Sequence, residues 1–273
     1  DVQTLDLMEY KNIPEDADLV VLASPQTKLL GYEVNKLREY LSRPDARVLL
    51  FLDPIQQNGL EDLLFEWGIL SDDKVVIDLS EDFKSSVGDL ILRDLAKHPV
   101  TQLLKDSQLP LLWGLTRPVR PDMGSDLNPQ LKQTVLISSS EKSFAKSNYS
   151  DLERVEIDTK NDLIGPIPLA TLSEKRLDSE FKIDLPSSRI LVFGNADFLS
   201  NSRFDVLGNK LLLLNSINWM IDRDRLLNIP PKAVEEYQLA LTRKELFLIA
   251  LNISILPACL LFMGILISLI RRR

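Results

Sequence analysis

The sequence predicts an open, doubly wound α/β fold with a mostly parallel sheet, followed by one C-terminal transmembrane helix. Short continuous apolar segments alternate with segments of helical period, which predicts strands and helices in alternation. Residues 246–270 contain no charged side chain, which predicts a membrane span. The 273 residues are enough for a large domain with a buried core.

The first part of the chain predicts a βαβ unit. Residues 19–23 are continuously apolar, as is typical of a strand covered on both faces in a parallel sheet. Apolar residues then recur at helical spacing over residues 30–41, and Pro44 separates this helix from a second buried strand at 48–52. A short strand is also expected at residues 2–7.

The alternation continues with one less regular segment. A helix is predicted over residues 59–67, where Gly68 ends it, and a strand follows at 74–77. Residues 79–130 contain several prolines and few clear periods, and we expect an irregular excursion or subdomain there. The remaining predicted elements are strands at 109–113, 134–138, 166–171 and 189–193, and a helix at 209–220.

The composition excludes several classes of function. The 40 acidic residues outnumber the 32 Lys and Arg, and a net charge of −8 argues against a nucleic-acid partner. With one cysteine, Cys259, and one histidine, His98, the chain offers neither an intrachain disulfide nor a Cys- or His-based metal site. The glycine motifs of dinucleotide and ATP sites are absent from the sequence. No cofactor or metal is expected, and a partner would bind any nucleotide.

The C-terminal apolar segment sets the expected topology. Its 25 residues are long enough to cross a bilayer, and positively charged residues lie on both sides of it. The three terminal arginines favour a cytoplasmic C-terminus and an acidic domain outside the membrane. Because such a topology requires an export signal, an upstream segment is expected. The expected parts are an extracytoplasmic domain at 1–224, a linker at 225–245, the span at 246–270 and a cytoplasmic tail at 271–273.

The predicted span also suggests a surface for other membrane helices. Small residues that permit close packing interrupt its Leu- and Ile-rich sequence at Ser254, Ala258 and Gly264. Pro257 adds a kink that a simple anchor does not need. The alternative is that these four residues are incidental and the helix only attaches the domain to the membrane lipid.

A series of short blocks resembles a known family over nearly the whole chain. The blocks lie at residues 19–25, 48–54, 98–101, 135–145, 165–166, 189–201, 208–209 and 218–220. Their order and spacing resemble the auxiliary component of ABC-type transport systems associated with bacterial gliding motility. The resemblance implies a glutamine-amidotransferase-like or flavodoxin-like domain in the bacterial envelope, anchored in the cytoplasmic membrane. It also implies a permease and a separate ATPase subunit as partners.

The candidate site residues lie at predicted strand ends. Asp53 and Asp197 follow buried strands, where open α/β sheets place ligand-binding loops, and Asn195 lies beside Asp197. The same residue types also cap helices and close turns, and this structural role is the simpler interpretation. His98, next to Pro99, is expected in a loop or at a helix entry. An amidotransferase requires a nucleophilic cysteine, but Cys259 lies within the predicted span.

Two functions from different classes remain open. The leading hypothesis is a noncatalytic, membrane-anchored auxiliary subunit of an ABC-type transporter whose outer domain binds an envelope protein or a transported lipid or polymer. The alternative is an envelope carbohydrate-binding module or hydrolase that uses Asp53, Asn195 and Asp197. Paired catalytic carboxylates would have to lie about 5 to 9.5 Å apart without being committed to backbone turns.

Overall fold

The computed structural model describes residues 2–80, 88–124, 128, 130–147, 161–176 and 187–223. All of these residues belong to one compact unit of the chain. The predicted linker, span and tail at 225–273 lie outside the described residues. Within the described ranges, no helix is both long enough and apolar enough to cross a membrane.

A six-stranded mixed sheet forms the centre of the domain. In chain order its strands are β1 (Val20–Ala23), β2 (Arg47–Phe51), β6 (Asp94–Leu95), β9 (Leu131–Ser138), β12 (Pro168–Lys175) and β13 (Ser188–Phe193). The order across the sheet is β1-β2-β13-β12-β9-β6. The first three strands are mutually parallel, whereas the pairs β13–β12, β12–β9 and β9–β6 are antiparallel. The α/β class is confirmed, and the sheet is mixed.

The described residues also form three small sheets. Their strands are β3 (Ile69–Ser71), β4 (Val75–Asp78), β5 (Leu90–Leu92), β7 (Leu111–Trp113), β8 (Val119–Pro121), β10 (Ser143–Lys146) and β11 (Leu163–Ile164). Strand β3 pairs with β8, β5 pairs with β7, and β10 lies between β11 and β4. Each of these pairs is antiparallel.

Four helices cover the two faces of the central sheet. They are α1 (Gly31–Leu41), α2 (Glu61–Glu66), α3 (Pro99–Asp106) and α4 (Asn209–Met220). Helices α1 and α2 pack on the face of β2 that carries Val48 and Leu50. Helices α3 and α4 pack on the opposite face, with Leu49 and Phe51. Because both faces are covered, β2 is apolar at consecutive positions, as the sequence predicted.

Two sequence predictions are wrong. Residues 2–7 form no strand, and Leu5 and Leu7 instead pack against the core beside α1 without joining a sheet. The described part of 79–130 is not an irregular excursion, because β6 extends the central sheet and α3 packs in the core. These elements are two and eight residues long, too short to give a clear period in a proline-rich sequence.

The end of α4 is fixed to the start of two central strands. Asp222, just beyond the helix, accepts hydrogen bonds from Arg47 at the start of β2 and from Arg189 in β13. The Arg189 Nη1 to Asp222 Oδ1 distance is 2.6 Å. The Arg189 guanidinium also lies 4.3 Å from the ring centre of Trp219, a cation–π distance. The last described residues are therefore held at the amino-terminal edge of the sheet.

Candidate functional site

The loops after β1, β2 and β13 meet at the carboxyl-terminal edge of the parallel part of the sheet, where open α/β folds bind ligands. Asp53 follows β2, and its Oδ1 accepts the backbone N–H of Ala196 at 2.9 Å. Its Oδ2 accepts the hydroxyl of Ser24, which follows β1. One carboxylate thus joins three loops.

Two residues at this edge adopt a backbone conformation that side chains disfavour. Ser24 has φ 50°, and Ile55, two residues after Asp53, has φ 70°. The left-handed region is particularly unfavourable for a β-branched residue such as isoleucine. Ile55 is also 49% exposed, so it is a large apolar residue at the surface. Strained backbone of this kind concentrates at functional sites. Gln26 adds an exposed amide, whose Nε2 donates to Ser24 Oγ at 2.6 Å.

Asn195 is a structural residue in this arrangement. Its side chain is fully buried, and Nδ2 donates to the carbonyl of Leu115 at 2.7 Å. Its Oδ1 accepts the N–H of Phe198 at 3.0 Å, and this bond supports the short 3-10 turn Asp197–Leu199. Both polar ends of the amide are therefore bound inside the protein, which is the capping role that the sequence left open.

Asp197 forms an ion pair with Arg203, whose Nε lies 2.6 Å from Asp197 Oδ2. The same guanidinium binds Asp89, where Nη2 lies 2.7 Å from Oδ1. The Asp89 side chain is only 3% exposed, whereas that of Asp197 is 43% exposed. Gly114 permits this arrangement, since a Cβ at that position would overlap Asp197 Oδ2. The loop after β7 thus contacts the loop after β13 closely.

Arg117 is a buried residue that the sequence analysis did not identify. Its guanidinium donates to four backbone carbonyls, those of Asp53, Gln56, Ser71 and Asp72, at 3.1 to 3.4 Å. Its own carbonyl packs against Gly194, where any Cβ would overlap it. One side chain therefore fixes the loops after β2 and β3 next to the end of β13. Its place in a proline-rich segment gave no signal of this role.

His98 is the N-cap residue that immediately precedes α3, in agreement with the prediction of a helix-entry residue. Its Nδ1 accepts the backbone N–H of Val100 at 3.3 Å, and its ring packs edge-on against Trp219. Burial, together with the positive charges of Lys132 and Arg189, lowers the pKa of His98 to about 4. The imidazole is therefore neutral at physiological pH and serves as a cap.

The candidate residues at the carboxyl-terminal edge of the sheet are largely bound to other protein groups. Asp53 bonds to a backbone N–H and a hydroxyl, Asp197 is paired with Arg203, and Asn195 is buried. Among the described residues of the loops after β1 and β2, the partly exposed Asp53 carboxylate and Ser24 lie beside the exposed Gln26. Such groups can bind a polar ligand through hydrogen bonds. The predicted interface residues Ser254, Pro257, Ala258 and Gly264 lie outside the described residues.

The fold and these strand-end loops define an α/β domain with helices on both faces of a mixed sheet and a polar carboxyl-terminal edge. A family model described as "ABC-type uncharacterized transport system" matches residues 1–216. The chain belongs to this family, whose members are auxiliary components of ABC-type transport systems. The comparison with curated proteins gave no match.

Among solved structures, the chain is similar to one described as "mmIFT52 N-terminal domain". The two share 14% sequence identity with a TM-score of 0.52, over 75% of this chain and 77% of the other. At this identity the similarity concerns the fold alone.

Proposed function

We propose that this protein is a noncatalytic auxiliary subunit of an ABC-type transporter whose α/β domain binds an envelope protein or the transported lipid or polymer. Membership of the family supports the transport role. The observation that favours binding over catalysis is that Asp53 and Asp197 are both engaged within the fold, by a backbone N–H and by an arginine. General acid–base work requires carboxyl groups that can reach a substrate.

The proposal includes the membrane arrangement that the sequence predicts. Residues 246–270 anchor the domain in the cytoplasmic membrane, the domain lies outside, and the span packs against helices of the permease. A separate ATPase subunit supplies the nucleotide hydrolysis. An association with gliding motility, which the sequence blocks suggest, belongs to the same proposal.

Copurification tests the proposal. The tagged full chain, extracted in mild detergent, is expected to retain a permease and an ATPase subunit, identified by mass spectrometry. A matched variant exchanges residues 246–270 for an unrelated apolar helix of equal length, which preserves membrane attachment. If the span forms the interface, this variant loses the permease. Equal recovery from both forms would show that the outer domain carries the association, and recovery from neither would contradict the proposal.

The alternative, a carbohydrate-binding module or hydrolase, is favoured by one observation, the exposed and strained Ile55 beside Asp53. Titration calorimetry with soluble oligosaccharides tests binding, and chromogenic glycosides test hydrolysis. Under this alternative, Asp53→Asn and Ser24→Ala weaken binding. The matched control is Asp205→Asn. Asp205 is exposed and forms an ion pair with Lys210, and its substitution leaves binding unchanged.

A further inference from the structure

The outer edge of β1 differs from the opposite edge of the central sheet. Strand β1 is the first strand of the sheet, and its sequence Val20-Val21-Leu22-Ala23 contains neither charge nor proline. Proteins usually protect edge strands with charges, prolines, bulges or covering segments, because an open edge pairs with other strands. Within the described residues, only β2 pairs with β1.

The other edge of the sheet carries such protection. Strand β6 has only two residues, one of them the exposed Asp94. The N–H of Ala96 donates to Leu136 in β9, so the preceding carbonyl of Leu95 points away from the sheet. Lys105 Nζ, from α3, donates to this carbonyl at 2.7 Å. The sheet edge at β6 is thus protected against pairing, whereas, in the part of the chain that the structure describes, the edge at β1 is not.

The hydrogen-bonding direction of each β1 residue follows from one contact. The N–H of Ser24 donates to Phe51 in β2 at 2.8 Å, so the carbonyl of Ala23, on the same peptide, points outward. Successive residues of a strand alternate in direction. The N–H and carbonyl groups of Val21 and Ala23 therefore point away from β2. We call these groups, with the side chains of the two residues, the β1 edge.

The side chains of the β1 edge are also apolar and exposed. Val21 is 51% exposed, and Ala23 is exposed as well. Their partners in β2 are Leu49 and Phe51, which belong to the core under α3 and α4. The face of the sheet that α3 and α4 cover at β2 is therefore exposed at β1. A strand added beside β1 would bury apolar surface there as well as form hydrogen bonds.

We propose that the β1 edge pairs with the β1 edge of a second copy of this chain. The outward groups lie symmetrically about Leu22, so an antiparallel arrangement with Leu22 on a two-fold axis places Val21 of each copy opposite Ala23 of the other. In such a pair, each of the two opposite residues donates its N–H to the carbonyl oxygen of the other. A large side chain then lies beside a small one, and the two sheets join into one.

The charges near β1 also favour this arrangement. Exposed Asp16 and Asp18 precede the strand, and exposed Lys28 follows it. Two-fold symmetry requires antiparallel pairing at a self-complementary edge. Antiparallel strands bring the lysine of one copy towards the acidic residues of the other, whereas parallel strands would place acidic residues together. This inference does not depend on the proposed function.

Cysteine cross-linking tests the register. Two differently tagged full chains, both with Cys259→Ser, are co-expressed, one with Val21→Cys and the other with Ala23→Cys. Cα atoms of such a pair lie about 5.5 Å apart, within the range of a disulfide. Mild oxidation of the co-expressed chains is expected to link the two tags. The control replaces Ala23→Cys by Ile164→Cys, an exposed residue in β11. Absence of the 21–23 product, or equal yield from the control, overturns the proposal.

A second test uses two substitutions at one position. Ala23→Pro removes an outward N–H without removing a bond to β2, whereas Ala23→Ser keeps that N–H. Sedimentation of the full chain in detergent is expected to show a dimer for wild type and Ala23→Ser, and its loss for Ala23→Pro. Val21→Lys, which leaves the backbone intact, is expected to lose the dimer as well. Any of three results would contradict the second-copy assignment. The first is a monomeric wild type, and the second is a dimer that persists in both Ala23→Pro and Val21→Lys. The third is a Val21→Cys chain that links to another polypeptide.

Discussion

The Asp53 carboxylate accepts the backbone N–H of Ala196 at 2.9 Å and so joins the end of β2 to the loop after β13. These two strands are adjacent and parallel, and the bond adds a side-chain connection between their loops to the pairing within the sheet. A residue expected from its sequence position to bind a ligand thus also holds the edge together.

Asp53→Ala is expected to lower the free energy of unfolding by about 1 to 3 kcal/mol, because the N–H of Ala196 loses its acceptor. Asp53→Asn, which retains one acceptor oxygen, should lower it less. A double-mutant cycle with Ser24→Ala, followed by urea unfolding, measures the coupling between the two side chains. Additive effects would show that the Ser24 hydroxyl does not depend on Asp53.

Asp197→Asn is expected to change stability by about 1 kcal/mol or less, because its ion pair with Arg203 is partly exposed. Arg203→Met should cost more, since it also removes a partner of the buried Asp89. Scanning calorimetry compares both with Lys210→Met, which breaks an exposed pair and should leave the melting temperature unchanged. An unaltered melting temperature in Asp197→Asn, with loss of complex formation, would instead assign Asp197 to a binding site.

Gly194→Ala is expected to destabilise the domain by about 1 to 3 kcal/mol, because the new Cβ overlaps the backbone carbonyl of Arg117. Gly114→Ala should be milder, since the Asp197 side chain can move away from the added methyl. Gly31→Ala, at the open start of α1, is the control and should be neutral or stabilising by about 0.5 kcal/mol. Chemical unfolding measures all three. Equal losses for the three variants would contradict the close contact at Gly194.

Stability is expected to fall as the pH falls from about 6.5 to about 4, in part because of His98. Its pKa in the folded chain is lowered to about 4, whereas an unfolded histidine titrates near 6.5. In this window the unfolded chain binds more protons, so acid favours unfolding. His98→Asn, which can still cap α3, should reduce the slope of unfolding free energy against pH. An identical slope in the variant would show that His98 titrates normally.

External protease added to sealed spheroplasts is expected to digest the domain and spare the C-terminal tail. This follows from the three terminal arginines, which favour the cytoplasmic side of the membrane. An epitope placed after Arg273 reports the tail, and an antibody against the α/β domain reports its digestion. Full protection of the domain would reverse the proposed topology.

The sequence predicted those elements whose burial is continuous or strongly periodic. Strand β2, helix α1 and helix α4 lie close to their expected positions because each buries several apolar residues against the sheet. The strand expected at 2–7 is absent because apolar alternation indicates burial but not backbone pairing. Alternating Leu5 and Leu7 indicate burial, and the structure buries them partly without backbone pairing.

The sequence predicted where the candidate site residues lie, but it did not determine whether each one binds a ligand or supports the fold. Asp53, Asn195 and Asp197 all lie at strand ends, as expected. Asn195 is fully buried, however, and its amide bonds to Leu115 and Phe198. A capping asparagine and a ligand-binding one have the same sequence position, so only the structure distinguishes them. Arg203 and Arg117 depend on contacts between distant segments, which no local pattern shows.

The attachment of Asp222 to Arg47 and Arg189 has a mechanical consequence. Tension applied to the chain beyond residue 223 acts on α4 through the backbone and, in parallel, on the starts of β2 and β13 through these two arginines. Those strands are parallel neighbours inside the sheet, each bonded on both sides. A load parallel to these strands is shared by several backbone hydrogen bonds at once, whereas a load perpendicular to a strand breaks them one after another. While these ion pairs hold, a pull from the C-terminal side is therefore resisted by the central sheet as well as by α4.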